Sequence, residues 1–594
     1  MQNPQSDACF SLARSWLSTC LNSHDRCNKL SRNKLPTRLI NVGSAGSSQI
    51  PNLHITGPSD AVVAYATLSH CWGSNTSRIS MLKSNNTLMM MKGIDTSTLS
   101  KTFQDAIIIT RGLGIKFLWI DALCIIQDQE EDWALESTKM GLYYKGGTVM
   151  ISALASPSAD NGILNMRDVD LGSAKVYVDG TETFIRPVLE DAVSVLNSPS
   201  RYSEARQPIS IQPLNGRAWT LQERLFAPRI LHYTSQQMIW HCKTCIFSED
   251  NQFDVDDEPR LRGFLTDFDN QYCSNTKGRL TDKGKTEMDE VPKPRTSVRR
   301  TGWYGLVTAF TSRDITYDSD LLPGLSGLAR EIQEWTGARY LAGIWNAHPS
   351  TFIRSLLWNV VDNNNSPRDK PASKSHNGCP SWSWTSINGS IEYDHQESVL
   401  SQQAAIDPGF FLKEAQLKTS NPFGQVRNGV LGLMGTYHAY TGPTTFIEFH
   451  TRKRMEKWEI NDEDPSFDKK DCSYEGIYNT GLDGNSEKIG SEIEEDGLYV
   501  SLDIANPDYD WLAHQHIILF MCLWDKDKDD TDGLGAHQEF LLLRRVERED
   551  VEHIKSKDPK AAVYERVGMA QASWPDVLDV GKAEGWARRK IYLI

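Results

Sequence analysis

The chain has 594 residues, enough for two to four domains with cores of their own, which excludes a small disulfide-stapled fold. Its 63 lysines and arginines against 77 acids give a net charge of −14, spread along the chain, which argues against a general nucleic-acid binder because phosphate contacts need a basic face. Eleven cysteines, no signal peptide in the opening MQNPQSDACF and no run of about 18 apolar residues point to a reducing, cytoplasmic setting without a membrane span.

Phe10 to Leu21 has helical periodicity, and Cys20, His24 and Cys27 follow at i, i+4 and i+7, on one face if the helix continues. Zinc would need a fourth donor, and Cys242 and Cys245 of CKTC are the paired candidates elsewhere. The expectation is buried thiols and a satisfied histidine, with no metal. LPTRLINVG, from Leu35, reads as a short strand leading into a Gly/Ser loop. AVVAYATLSHCWG, Ala61 to Gly73, is a second strand whose polar residues Ser69, His70 and Cys71 gather with Trp72 at its carboxyl end. Phe103, Ala106, Ile107 and Thr110 predict a helix stopped by Gly112 and Gly114.

Phe117 to Ile126 is a nearly unbroken apolar run that reads as a strand buried on both faces, with one acid, Asp121, that needs a partner. A helix is predicted from about Trp133, with Asp132 as N-cap. At 100° per residue, Trp133, Glu136, Met140, Tyr143 and Tyr144 fall in one sector while Leu135 points away. Glu136 is therefore expected on the buried face, one position too late for a capping box. Two readings stay open: a structural acid held by an arginine or backbone donors, and a functional carboxylate. A strand at Thr148 to Leu154 follows. Strand, helix, strand, helix, strand with short connections predicts a parallel sheet, with ligands at the carboxyl ends of its strands. Neither a dinucleotide fingerprint nor a P-loop is present.

In GRAWTLQERLFAPRI, Thr220 and Glu223 have the spacing of a capping box, which lowers Glu223 as a catalytic candidate. Arg217 and Arg229 are expected to pair with Asp121 or Glu136. Asn251 to Arg300, including the basic Lys293 to Arg300, reads as a linker or insert. Helices are expected at Trp303 to Ser312, in DLLPGLSGLAREIQEW and at Phe352 to Val361, with PSWSW as a strand packing Trp382 and Trp384 on one face. Beyond Gly389, short alternating segments predict a mainly antiparallel β region, and the acidic Asp525 to Gly533 is a solvated turn rather than an EF-hand.

YATLSHCWG (Tyr65 to Gly73), LWIDALCIIQ (Leu118 to Gln127), DWALESTKMGLYY (Asp132 to Tyr144) and RAWTLQERL (Arg217 to Leu225) resemble, in order and spacing, the motifs of the fungal heterokaryon incompatibility, or HET, domain. His70 departs from the tyrosine usual there. The resemblance implies a TIR-like, flavodoxin-like α/β domain and a part in cell death when unlike hyphae fuse, with self-association or an allelic incompatibility partner. Several TIR domains cleave NAD at the nicotinamide–ribose bond with a glutamate in a Trp-x-x-Glu context, which Trp133 to Glu136 matches. The resemblance thus implies Glu136 as catalytic residue, with Ser69, Trp72, Gly73, Asp121 and Trp133 binding substrate and Arg217, Trp219, Glu223 and Arg229 in support. NAD would be a substrate and no cofactor is expected. The domains expected are an N-terminal flank (1–50), the HET domain (51–250), a linker (251–300), a helical segment (301–388) and a mainly β region (389–594). A non-catalytic signalling scaffold would use the same motifs as core and interface, and a third reading is a secondary-metabolism enzyme on a HET scaffold.

Overall fold

The computed structural model describes residues 3–28, 35–57 (except 45 and 47), 60, 63–73, 81–167, 174–178, 181–185, 212–250, 253–255, 303–346, 349–361 and 373–393 (except 377). After these it describes mainly strands: 405–406, 411–440 (except 420), 448–449, 498–502, 517–524, 538–546, 554, 562–572 and 586–594. Most of the expected linker at 251–300 and all of the acidic segment at 525–533 lie outside the described residues. The chain divides into two units, one of residues 1–315 with 323–331 and one of 316–322 with 332–594. No helix among the described residues is long and apolar enough to cross a membrane.

In the first unit, helices Asp7–Ser23 (α1) and Asp25–Asn28 (α2) precede strands Arg38–Asn41 (β1), Asn52–Ile55 (β2) and Tyr65–Ser69 (β3). Helices Thr87–Lys92 (α3) and Lys101–Gly112 (α4) lead to Phe117–Trp119 (β4). Helices Asp121–Cys124 (α5), Glu130–Ser137 (α6) and Met140–Gly146 (α7) lead to Val149–Ser152 (β5). A hairpin of Ala174–Val178 (β6) and Thr181–Ile185 (β7), helix Trp219–Phe226 (α8), and strands Arg229–Tyr233 (β8), Met238–Cys242 (β9), Cys245–Ser248 (β10) and Phe253–Val255 (β11) follow.

The nine-stranded sheet runs β11-β10-β9-β8-β5-β3-β4-β1-β2. Its centre is parallel, β3 pairing with both β4 and β5, and β5 with β8. Every residue of β3, β5 and β8 is buried, as a strand covered on both faces requires. Both flanks are antiparallel, β1 and β2 on one side and the β9–β11 meander on the other, so the sheet is mixed rather than parallel throughout. Numbered along the chain, the four parallel strands stand in the order 2-1-3-4. The crossovers that leave β3 and β5 run in opposite directions, to β4 and to β8, which puts the topological switch point between the carboxyl ends of β3 and β5.

Helix α4 forms as its periodicity predicts, burying Phe103, Ala106, Ile107 and Thr110. It ends where Gly114 takes φ +75° and Ile115 N–H reaches back to the Thr110 carbonyl. The expected strand at 117–126 stops at Trp119. Asp121 starts a helical turn instead, its backbone carbonyl accepting from Ile125 N–H, and a short apolar run reads alike for a buried strand and a buried turn. The expected long helix is two helices broken at Thr138 and Lys139, and it begins at Glu130 with Gln129, not Asp132, as N-cap. Asp132 is engaged elsewhere, chelating Arg38 and accepting from Ile126 N–H.

In the second unit, Trp382 and Trp384 are fully buried as expected but lie in a turn and a 3-10 helix rather than a strand. Trp384 donates to the Gly343 carbonyl, and Trp358 to that of Trp382. The expected helix at 352–361 is Pro349–Leu356, followed by a short strand. Beyond it lies a sheet built around Gly429–Tyr440, antiparallel except where Glu448–Phe449 meets Leu498–Leu502 and where Val563–Ala572 meets Trp586–Leu593.

One buried acid holds the loop that follows β5. Asp105 on α4 has no exposed surface, accepts from Ile163 and Leu164 N–H at 2.7 and 3.0 Å and pairs with Lys101. Asp105→Ala would leave two inward-facing N–H groups without an acceptor and should cost roughly 3–5 kcal/mol in urea unfolding. A loss below about 1 kcal/mol would mean the loop holds without it.

Candidate functional site

Strand β3 runs out into the buried Ser69 and His70, then Cys71 and a half-buried Trp72, before Gly73 turns the chain. Gly73 has φ +85°, and a Cβ there would lie 2.5 Å from that of Ser158, so glycine is required on both counts. Beside it, at the end of β4, Asp121 caps its own turn by accepting from Ala122 N–H at 2.7 Å, while its other oxygen takes the Trp72 indole N–H at 3.0 Å. The Trp72 and His70 rings lie nearly parallel with centroids 6.4 Å apart, and Phe103 of α4 meets His70 edge-on at 5.0 Å. His70 Nδ1 is 3.9 Å from Asp121. Burial pushes the imidazole down to about 4; the Arg217 charge acts the same way, and Asp121 opposes both. His70 is therefore neutral at physiological pH.

The acid that meets this cluster is Glu223. The expected capping box does not form: α8 begins at Trp219 with Ala218 as N-cap, and the Thr220 hydroxyl donates to the Leu214 and Arg217 carbonyls. Glu223 is turned inward, 5% exposed, with no arginine or lysine in ion-pair contact among the described residues. Burial raises its carboxyl to about 7, and the nearby Asp121 charge adds to the rise. Ser69, Arg217 and Tyr144 oppose it. Ser69 is near enough to favour the charged form, yet Ser69 Oγ and Glu223 Oε2 are aligned in no hydrogen bond, and His70 Nε2 is equally without one. Tyr144 donates to the Leu68 carbonyl at 3.0 Å. A cavity of about 10 Å³, room for about one water, lies among Ser69, Ser152, Asn215, Thr220, Arg224 and His232 at the ends of β3, β5 and β8.

Glu136 occupies a different setting. It is 1% exposed and accepts from the Thr37 hydroxyl at 2.9 Å, Lys139 Nζ at 2.8 Å and the Tyr143 hydroxyl at 2.8 Å. These donors belong to the segment before β1, to the α6–α7 break and to α7 itself. No hydrogen bond among those described joins Glu136 to Ser69–Gly73 or Asp121. Trp133 is half-exposed and Leu135 is 55% exposed, as helical phase predicts for the latter.

The expected arginine pairings with Asp121 or Glu136 do not form. Arg217 donates to the His70 carbonyl, which fixes the end of β3, and Trp219 is half-buried at the start of α8. Arg229 lies at the amino end of β8, where it donates to Cys20 Sγ and to the Thr148 and Cys27 carbonyls. The structure thus brings together Ser69, His70, Trp72, Asp121, Arg217 and Glu223, and leaves Glu136 and Arg229 outside. The sequence signal that could have found Glu223 is its place in RAWTLQERL, four residues after an apolar Trp219 and two before Leu225.

These features define a mixed α/β domain with a polar cluster at the carboxyl ends of its central strands. Residues 65–223, about a quarter of the chain, match the family model described as Heterokaryon incompatibility protein (HET), so the chain carries a HET domain that runs from the first residue of β3 to Glu223. No curated protein and no solved structure matches the chain.

Two opposed titrations follow. Glu223 keeps its proton to about pH 7 when folded but loses it near 4.5 when unfolded, so it makes the fold less stable as pH rises through that window, by roughly 3 kcal/mol. His70 stays neutral to about pH 4 when folded but binds a proton near 6.5 when unfolded, so it makes the fold more stable as pH rises from about 4 to 6.5. Glu223→Gln removes only the first effect. Its melting temperature relative to wild type should climb between pH 4.5 and 7, and a difference that stays constant would mean an ordinary carboxyl.

Proposed function

We propose that this chain acts in heterokaryon incompatibility and that it causes cell death by cleaving NAD at the nicotinamide–ribose bond, with Glu223 as the working carboxylate. The observation that carries the reading is a buried carboxyl with no cation in ion-pair contact among the described residues, near Ser69 at the carboxyl end of β3, where the strand order reverses; burial raises it to about 7. The 2-1-3-4 order is that of flavodoxin-like sheets, whose ligands sit at this switch point, and it suits the TIR-like assignment. Nicotinamide leaves as a neutral base, so the reaction needs no acid. It needs a negative charge against the ribosyl cation, which ionised Glu223 supplies. Partly exposed Trp72, held by Asp121, offers a face for stacking, and the Arg217 guanidinium offers donors to phosphate.

Glu136, whose oxygens take three internal donors, suits the structural of the two readings open for it. A second reading of the protein, a non-catalytic signalling scaffold, is favoured by one observation: Glu223 is 5% exposed and the cavity at the strand ends, lined by Ser69 and Thr220, has room for about one water, so NAD enters only if the rim opens.

Nicotinamide release from NAD by concentrated protein separates these readings. The proposal expects activity that rises with pH through about 7, falls at least about 100-fold in Glu223→Gln, and survives in whatever fraction of Glu136→Gln folds. Glu136→Gln should lose roughly 2–4 kcal/mol of stability. A folded Glu136→Gln that is inactive while Glu223→Gln keeps its rate would return the catalytic role to Glu136. No release at any concentration favours the scaffold.

A further inference from the structure

Cys20 lies in the last turn of α1, His24 caps it, Cys27 lies in α2 and Cys242 closes β9, some two hundred residues away in sequence. The expectation of no metal rested on the lack of a fourth donor, and the fold supplies one. One donor atom from each of these four residues lies within 4.8 Å of every other. Cys242 Sγ is 3.4 Å from His24 Nδ1. Tetrahedral zinc, with bonds of about 2.3 Å to sulfur and 2.0 Å to nitrogen, sets ligand atoms about 3.5–3.8 Å apart. The three sulfurs are buried and His24 is half-buried, so the group is closed on the protein side.

A second observation is independent of that spacing. Arg229 is 2% exposed and has no acidic partner among the described residues; it donates to Cys20 Sγ at 3.2 Å, the Thr148 and Cys27 carbonyls, and Asn28. A buried guanidinium needs a compensating negative charge, and three neutral thiols supply none. Three thiolates and one histidine around Zn²⁺ carry a net charge of −1, which matches Arg229. Thr244 N–H also points at Cys242 Sγ, at 3.5 Å, the kind of outer donor that zinc-bound sulfur accepts.

We propose that Cys20, His24, Cys27 and Cys242 form a structural zinc site with Arg229 as its outer counter-charge. The site ties α1 and α2 to the hairpin of β8 and β9, where Arg229 and Cys242 are register partners. It lies at the amino end of the parallel strands, the opposite end from Glu223. All four ligands fall outside residues 65–223, so the metal would fasten flanking segments onto the HET domain. With four protein ligands no position is left for water, and the role is folding rather than chemistry.

The test uses the full-length chain purified with reductant and without chelator. Elemental analysis should find about one zinc per chain. Cobalt exchanged into the wild-type protein should show the visible bands of a tetrahedral ion with thiolate charge transfer, a readout that needs no variant to fold. Cys242→Ser should retain less than about a tenth of the metal, while Cys124→Ser, at a buried cysteine away from the site, retains it in full. Stripping zinc with a chelator should lower the melting temperature, and added zinc should restore it. A folded, reduced wild-type chain that takes up neither zinc nor cobalt would overturn the proposal, as would Cys242→Ser with full occupancy.

Discussion

The burial of the Glu223 carboxyl near Ser69 at the end of β3, with no cation in ion-pair contact among the described residues, is the constraint on which the rim of this domain depends. A carboxylate in that position must either hold its proton or be met by groups that favour its charge, and Ser69, Tyr144 and Arg217 oppose the burial only in part. Asp121 is committed to its own turn and to Trp72, and His70 is neutral, so neither relieves it. Such an arrangement is expensive for a purely structural core, and expensive polar groups collect where a protein does chemistry.

The two ends of the central strands are built differently. At the carboxyl ends lie polar atoms without hydrogen bonds: Ser69 Oγ, His70 Nε2 and Glu223 Oε2. At the amino end of β8, Arg229 is saturated by carbonyls, Asn28 and the Cys20 sulfur, and the cysteine cluster closes over it. Arg229 and the cysteine cluster close the amino end, where Thr148 Oγ1 is without a hydrogen bond, while three such atoms gather at the carboxyl ends, as suits a site carried on a scaffold.

Much of this was legible in the sequence. The alternation of apolar strands with the α4 periodicity located the parallel centre, and the polar residues after Leu68 located its rim. The four motifs led to the family whose model matches residues 65–223. What misled was local. Thr220 and Glu223 have capping-box spacing, but the helix begins one residue before Thr220, so the acid was free to turn inward. The helix breaks at Thr138 and Lys139, yet Glu136, Met140, Tyr143 and Tyr144 are buried and Leu135 is exposed as the phase predicts, and Glu136 and Tyr143 meet across the break; only Trp133 is half-exposed. The antiparallel flanks and the approach of Cys242 to Cys20 depend on pairings between distant segments, which no window of sequence reports.

Glu223 holds its proton up to about pH 7. Infrared difference spectroscopy of the carboxyl stretch reads this directly, comparing wild type with Glu223→Gln across a titration. The wild type should show a protonated carboxyl band that disappears with a midpoint near 7 and is missing from the variant. A Glu223 band already lost by pH 5, in the ordinary carboxylate range, would contradict it.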